Sequence, residues 1–551
     1  MKKMTISKAA FCLFSVSCFA AVSAGSELSA RAPHMAEGGG SPANIAEVLG
    51  FPQVNGMSGT CGGDADLPAQ FPCTFAGSGD KAGCYKAGGY SIPQDQDDLA
   101  AIHLHRATID DAAGGLEALC NDGTPAVIYV RAGSCDGGQC DKWALWIQGG
   151  KGCFDPDVCV ERWCALGTTT ANNYSLMSTR RAPWVIRDQG VLTASEISPV
   201  RDWNHVTFHY CSSDGWVGAN GIDGVDWQST LYPDTPDYHI LFNGASILRL
   251  GFEDLLDGVA SDDGVVTMPA LSEATDVLLT GGSAGSGGVL HNVDRLASEL
   301  LPGARILAVM DAGVFPDISV LHADPGHPGQ NAAWTGAWDG ELQAQWDGFM
   351  LDAEARDSVD DGCLAAHVAD PWRCIDNAHV YGYHVTTPMA LREDLADPVN
   401  HGRFERLLGD VAVYPIEQFI VDVNATLERV MSPTVLGDPH KDAADQSRVA
   451  YGPLCGDHES LKDRTFLDVR VDDGPVPDLS YGDLFFALGD CLLETGASCA
   501  LTDSDPGPGE LYLEVAVDDL APPAGTWCPL LIDGFESGDL QNWAGSVGLA
   551  P

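Results

Sequence analysis

Short apolar runs recur through residues 99–497, each the length of a strand and each followed by a loop or an amphipathic stretch. The clearest are Trp143–Ile147, Val206–Tyr210, Asp276–Thr280, Arg305–Met310 and Pro388–Leu391. Between the third and fourth, Val289, Val293, Leu296 and Leu300 recur at the spacing of one helix face. Strands alternating with helices predict an α/β fold, a doubly wound and mainly parallel sheet. No internal repeat interrupts that pattern. Residues 25–98 break it: they are rich in Gly, Pro and Ser, carry Cys61, Cys73 and Cys84, and show little periodicity, which predicts an irregular, disulfide-stapled lead-in. From residue 498 to 551 a small acidic appendage and tail is expected, with a strand-like Leu511–Val517 and with Cys528. Asp503 and Asp505 precede glycines there, but their spacing departs from an EF-hand loop and predicts a solvated turn. Residues 533–543 resemble a short tail found on many secreted bacterial proteins.

The first 24 residues follow a different logic. Lys2, Lys3 and Lys8 precede an apolar stretch from Ala9 to Val22, and small residues end it at Ala24, the pattern of a secretory signal peptide. Ser15-Val16-Ser17 before Cys18 makes a poor lipoprotein box. After residue 24 no apolar run approaches the ~20 residues that span a bilayer, so no transmembrane segment is expected. Export makes sense of the cysteines: of eighteen, Cys12 and Cys18 leave with the signal, and the even remainder predicts disulfides. Paired CxxC motifs are missing, so neither a metal site nor any other cofactor is expected.

Charge narrows the function. Against 29 Lys and Arg stand 78 Asp and Glu, a formal net charge of -49. A nucleic-acid partner is excluded, because phosphates need a basic footprint. The excess of carboxylates fits a protein kept soluble in a salty external medium.

Candidate chemistry lies at Gly281-Gly282-Ser283-Ala284-Gly285, directly after the run Asp276–Thr280 and directly before the amphipathic stretch. Strand, sharp turn and helix are the context a nucleophile elbow requires: small neighbours allow the strained turn, and the helix N-terminus favours developing negative charge. Ser283 is therefore the candidate nucleophile, and Ser286, inside the first helical turn, is the alternative. Acyl chemistry also needs hydrogen-bond donors for an oxyanion. The amides of Ala284, after the nucleophile, and of Gly150 and Lys151, in the glycine-rich loop Gln148–Gly152 that follows Trp143–Ile147, are placed to supply them.

Several stretches together resemble the pectin acetylesterase and Notum carboxylesterase family: Leu119-Cys-Asn-Asp-Gly-Thr-Pro125, Ile147–Phe154 with Cys159, Tyr210-Cys-Ser-Ser-Asp214 with Trp216, the elbow continued by Asn292-Val-Asp-Arg295, and Asp311-Ala-Gly313. The resemblance runs in order across residues 100–495 and implies a secreted, disulfide-bonded serine esterase with an α/β-hydrolase-like fold. It also implies a triad in the order Ser, Asp, His. Asp397 matches the family acid, with Asp394 as its competitor. His458, in Cys455-Gly-Asp-His458, matches the family histidine, ahead of His401 and His440. The pairings carried over are Cys120 with Cys211, Cys153 with Cys159, and Cys455 with Cys491. Lys151 stands where the family has an aromatic residue, a departure that bears on the size and polarity of the acyl pocket.

Three functional readings follow. The first is a secreted serine esterase that deacetylates a polysaccharide or oligosaccharide. The second applies the same machinery to longer acyl groups on lipid or protein, and the third is a non-catalytic secreted protein that kept the fold. The expected partner is an acylated glycan or another ester. The negative charge works against polygalacturonate and leaves a neutral acetylated glycan equally open.

Overall fold

The computed structural model describes residues 103–110, 117–134, 141–164, 176–179, 182–187, 190–192, 198, 200–221, 223–231, 238–317, 331–349, 351, 358–407, 414–431, 448–452, 458–459, 461, 470–471, 479–480 and 515–517. The signal-peptide and lead-in readings therefore lie outside the described residues, as do His440, Cys455 and Cys491.

Fourteen strands are described. They are β1 (His103–Thr108), β2 (Val127–Arg131), β3 (Lys142–Ile147), β4 (Val185–Arg187), β5 (Asn204–Phe208), β6 (Val225–Trp227), β7 (Tyr238–Ile240), β8 (Asp276–Gly282), β9 (Arg305–Asp311), β10 (Met389–Arg392), β11 (Arg448–Gly452), β12 (Arg470–Val471), β13 (Leu479–Ser480) and β14 (Val515–Val517). Ten of them form one sheet in the order β14-β11-β10-β9-β8-β3-β5-β2-β1-β4. From β5 to β14 neighbours run parallel, while β5, β2, β1 and β4 pair antiparallel. The expected doubly wound, mainly parallel α/β sheet is present.

The centre of the sheet explains why its strands were legible as unbroken apolar runs, since a parallel strand covered on both faces needs no polar side. All seven residues of β8 are buried, and so are five of the six in β3. The helix Ala284–Arg295 packs against the sheet through Val289 and Val293, and its continuation Leu296–Leu300 adds Leu296, all fully buried. β5 departs from expectation by starting at Asn204 and ending at Phe208. Its polar start is buried because each group finds a partner: the Asn204 side chain donates to Lys142 O (3.1 Å) and accepts from Gly133 N (2.9 Å), and His205 Nε2 lies 2.6 Å from Val200 O. Burial pushes the His205 imidazole down to about 3 and keeps it neutral.

β3 lies between β5 and β8, so the chain leaves it to one side and later returns on the other. Such a switch opens a crevice at the strands' carboxyl ends, where ligands of open α/β sheets bind. Both Gln148–Gly152 and Ser283 sit there. Two expected disulfides brace the region. Cys120–Cys211 joins the turn at Leu119–Pro125 to the loop after β5, and Cys153–Cys159 closes the loop after Gly152. The first spans 91 residues, a loop whose closure contributes about 4–5 kcal/mol in chain-entropy accounts. A third, Cys363–Cys374, was not anticipated. Among the described residues no helix is long and apolar enough to cross a membrane.

Candidate active site

At the end of β8 the backbone turns sharply into the helix Ala284–Arg295, and Ser283 takes φ 51°, a left-handed value rare for a residue with a side chain. The turn is held from below: Ser283 N donates to Asp311 O at 2.8 Å. Its glycines are obligatory. A Cβ at Gly281 would meet Ile147 O at 2.8 Å, and one at Gly285 would run into the same carbonyl. Ser286, the alternative nucleophile, is fully buried, and its Oγ lies 2.9 Å from Asp311 O and 3.1 Å from Gly281 O. It stitches the elbow to β9 rather than facing the crevice.

Asp397 precedes the helix Pro398–Leu407 and is fully buried. Its Oδ1 accepts from Val399 N (2.8 Å) and Asn400 N (3.0 Å), the first amides of that helix. Oδ2 is thereby left for His458, whose Nδ1 lies 2.6 Å away. The segment bearing His458 docks on the elbow. A Cβ at Gly282 would meet Glu459 Oε1 at 2.8 Å, and Leu461 N donates to Asp311 Oδ2 at 2.7 Å. Ser283, Asp397 and His458, far apart in sequence, thus come to one end of the sheet.

The competitors are engaged elsewhere. Asp394 Oδ2 accepts from Arg392 Nη2 at 2.6 Å, and Arg392 Nη1 also reaches Asp311 Oδ1 at 2.8 Å, all of them fully buried. His401 Nε2 lies 2.7 Å from Tyr414 O. Glu393, which nothing in the sequence singled out, accepts from Val314 N and Asn400 Nδ2. Burial, and then the charge of Asp397, hold its carboxyl well above the usual range.

The glycine-rich loop is fixed from both sides. Gln148 Oε1 accepts from Tyr210 N at 3.2 Å, its carbonyl accepts from Trp216 Nε1 at 3.0 Å, and Cys153 N donates to Ser213 O at 2.8 Å. Gly150 adopts φ 151°, and a Cβ there would collide with the Tyr210 ring at 2.7 Å. Ala284 opens its helix, so its amide has no acceptor within the helix. Lys151 is half-buried beside them.

Beside Ser283 a cavity is walled by Phe154, Phe315, Trp338 and Phe349, with Gln345, Asp376, Asn400 and Arg403 among its polar groups. Apart from Phe154, none of these was singled out from sequence, because they come from helices and loops whose approach no spacing records. His291 also lines it, and burial pushes its imidazole down to about 3.

The fold and the constellation define a class: an α/β-hydrolase-like protein with a strained serine at the end of a central strand. Residues 100–325 match the family model described as Pectinacetylesterase. The chain is 26% identical over 371 residues to the palmitoleoyl-protein carboxylesterase Notum of Drosophila melanogaster, covering 65% of this chain and 45% of that one. It is 31% identical over 204 residues to the human Notum, covering 36% of this chain and 34% of that protein, and 26% identical over 200 residues to pectin acetylesterase 11 of Arabidopsis thaliana, covering 36% and 43%. In each case the match spans less than half of the relative's length. Among solved structures, the Wnt deacylase Notum from Drosophila superposes with a TM-score of 0.50 at 21% identity, over 77% of this chain and 100% of that one, which establishes the shared fold. The resemblance to the pectin acetylesterase and Notum family holds in both sequence and fold.

Proposed function

We propose that the chain is a secreted serine carboxylic-ester hydrolase, with Ser283 as nucleophile, His458 as general base and Asp397 as the acid that orients it. The observation that carries this reading is the 2.6 Å contact of His458 Nδ1 with Asp397 Oδ2, beside the elbow. With Nδ1–H given to Asp397, Nε2 keeps a lone pair with which to take the Ser283 proton. Ser283 Oγ then bonds to the ester carbonyl carbon, and the carbonyl oxygen becomes an oxyanion facing the amides of Ala284, Gly150 and Lys151. Collapse breaks the ester bond, and the alcohol leaves with the proton from His458. Water, deprotonated by the same imidazole, repeats the sequence on the acyl-enzyme and releases the acid.

Acetyl on a polysaccharide or oligosaccharide is the proposed substrate. The four aromatic side chains of the cavity favour a second reading, a longer acyl chain, since they offer apolar surface that acetyl does not fill. A series of p-nitrophenyl esters of increasing chain length separates the two: activity that peaks at acetate supports the first, and activity that climbs to long chains supports the second. For the machinery itself, a fluorophosphonate probe is expected to label the peptide containing Ser283. Ser283→Ala should abolish labelling, and His458→Ala and Asp397→Asn should each lower kcat by about 10⁴-fold without unfolding the protein. Labelling that persists in Ser283→Ala, or a His458→Ala variant with near-full activity, refutes the assignment.

A further inference from the structure

Away from the elbow, three imidazoles converge on one point. His367 ends the short helix Asp361–Ala366, His379 lies in the helix Asn377–Tyr383, and His384 ends that helix. His379 Nε2 is 2.8 Å from His367 Nε2 and 3.2 Å from His384 Nε2. The ring planes cross steeply, at 71°, 85° and 61°, so the rings face one centre rather than stacking. Spacing announces this group only in part: the four residues between His379 and His384 suit a zinc pair, but His367 lies eleven residues further back.

We propose that His367, His379 and His384 form a binding site for one divalent transition-metal ion, with zinc the first candidate. Three arguments carry it. The first is proton arithmetic. His379 Nε2 offers either one hydrogen or one lone pair, yet it faces two other Nε2 atoms. Asp370 Oδ1 lies 3.2 Å from His367 Nδ1, and with the hydrogen of a neutral His367 on that nitrogen its Nε2 presents a lone pair. A cation at the centre accepts three lone pairs at once and resolves the conflict. The second is the support behind the ring: metal-bound histidines commonly give their other N–H to a carboxylate, and Asp370 is itself held by Arg373, whose Nε is 2.6 Å away. The third is rigidity. Cys363–Cys374 ties the helix carrying His367 to the turn Pro371–Ile375, which leads into the helix of His379.

Tetrahedral zinc with bonds of about 2.0–2.1 Å separates its nitrogens by roughly 3.3 Å, near the 2.8 and 3.2 Å that separate His379 Nε2 from the other two. The Cys363 sulfur completes the group of potential ligands, but its disulfide withholds it as a thiolate, and the fourth position falls to solvent. His384 is 7% exposed and the His367 side chain 19%, which shields the centre while leaving it within reach of solution. Neutral imidazoles select zinc, copper or nickel over calcium and magnesium.

The test is zinc titration of the full, chelator-stripped chain by calorimetry, in excess magnesium so that surface carboxylates are occupied, with X-ray absorption on the loaded protein. One equivalent of zinc with imidazole scattering from three ligands is expected, and His367→Gln should weaken binding about tenfold or more while Ser283 labelling stays unchanged. Absence of high-affinity zinc in the wild type, or a spectrum of oxygen ligands alone, overturns the proposal, and the spectrum decides even if the variant fails to fold. Equal affinity in wild type and a folded His367→Gln overturns it too.

Discussion

Asp214 is fully buried, yet its oxygens take hydrogen bonds from Ser212 Oγ (2.6 Å), Trp216 N (2.9 Å), Gly218 N (3.2 Å) and Gly244 N (2.7 Å). It organises the loop after β5 and the start of the helix Gly244–Asp257. Burial nonetheless outweighs those donors and pushes its carboxyl up from 3.8 to about 6. A raised folded value means that the protonated fold is favoured: the added stability is complete below about pH 4 and is gone above about pH 6. Asp214→Asn should cost about 2–3 kcal/mol, because its NH₂ must face a donor. That gap should narrow by about 1 kcal/mol between pH 5 and pH 8, read from urea unfolding curves, whereas a pH-independent gap would contradict the raised value. At this scale the sequence was only partly legible. Tyr210–Asp214 stood out through resemblance, but among 78 acidic residues nothing marked which carboxylates are buried. Asp214, Glu393 and Asp376 acquire their character from packing alone.

The strand, turn and helix around Ser283 were the most legible element, since an apolar run, glycines and a helical face follow one another without a break. β5 starts two residues earlier than expected because its first two side chains are polar and satisfied inside the fold, Asn204 by Lys142 and Gly133 and His205 by Val200. Contact between elements gives the elbow its precision. Gly285→Ala pushes a methyl group into Ile147 O, so the helix must move away from β3. A shift near 1 Å should cut kcat about a hundredfold and lower Tm, whereas Gly303→Ala, with nothing within 4 Å of the added carbon, should leave both unchanged. Steady-state kinetics and a thermal melt on the pair provide the check. A Gly285→Ala enzyme with wild-type kcat would mean that the elbow tolerates displacement. Asp294, in the stretch after the elbow, accepts from Thr386 N, Thr386 Oγ1 and Thr387 N at 2.8–2.9 Å, so the helix that follows Ser283 also fixes the entry to β10.

For the whole molecule, the charge of -49 predicts self-repulsion that salt relieves. Screening lengths fall from about 10 Å at 0.1 M to about 3 Å at 1 M, and Tm should rise by several degrees over that range of NaCl. A flat or falling Tm would show that charge pairs dominate instead. Composition alone made this expectation legible, and resemblance supplied Cys120–Cys211 and Cys153–Cys159. Cys363–Cys374 escaped because pairing depends on approach in space. The sheet order carries one more consequence, for the time course of the protein's manufacture. His458 follows β11, which lies outside β10 on the parallel side of the sheet and precedes only short strands in the described chain. On a growing chain Ser283 and Asp397 are translated before His458. The proposed triad therefore stays incomplete until residue 458 has been made, so a chain truncated before it should lack esterase activity however well its elbow folds.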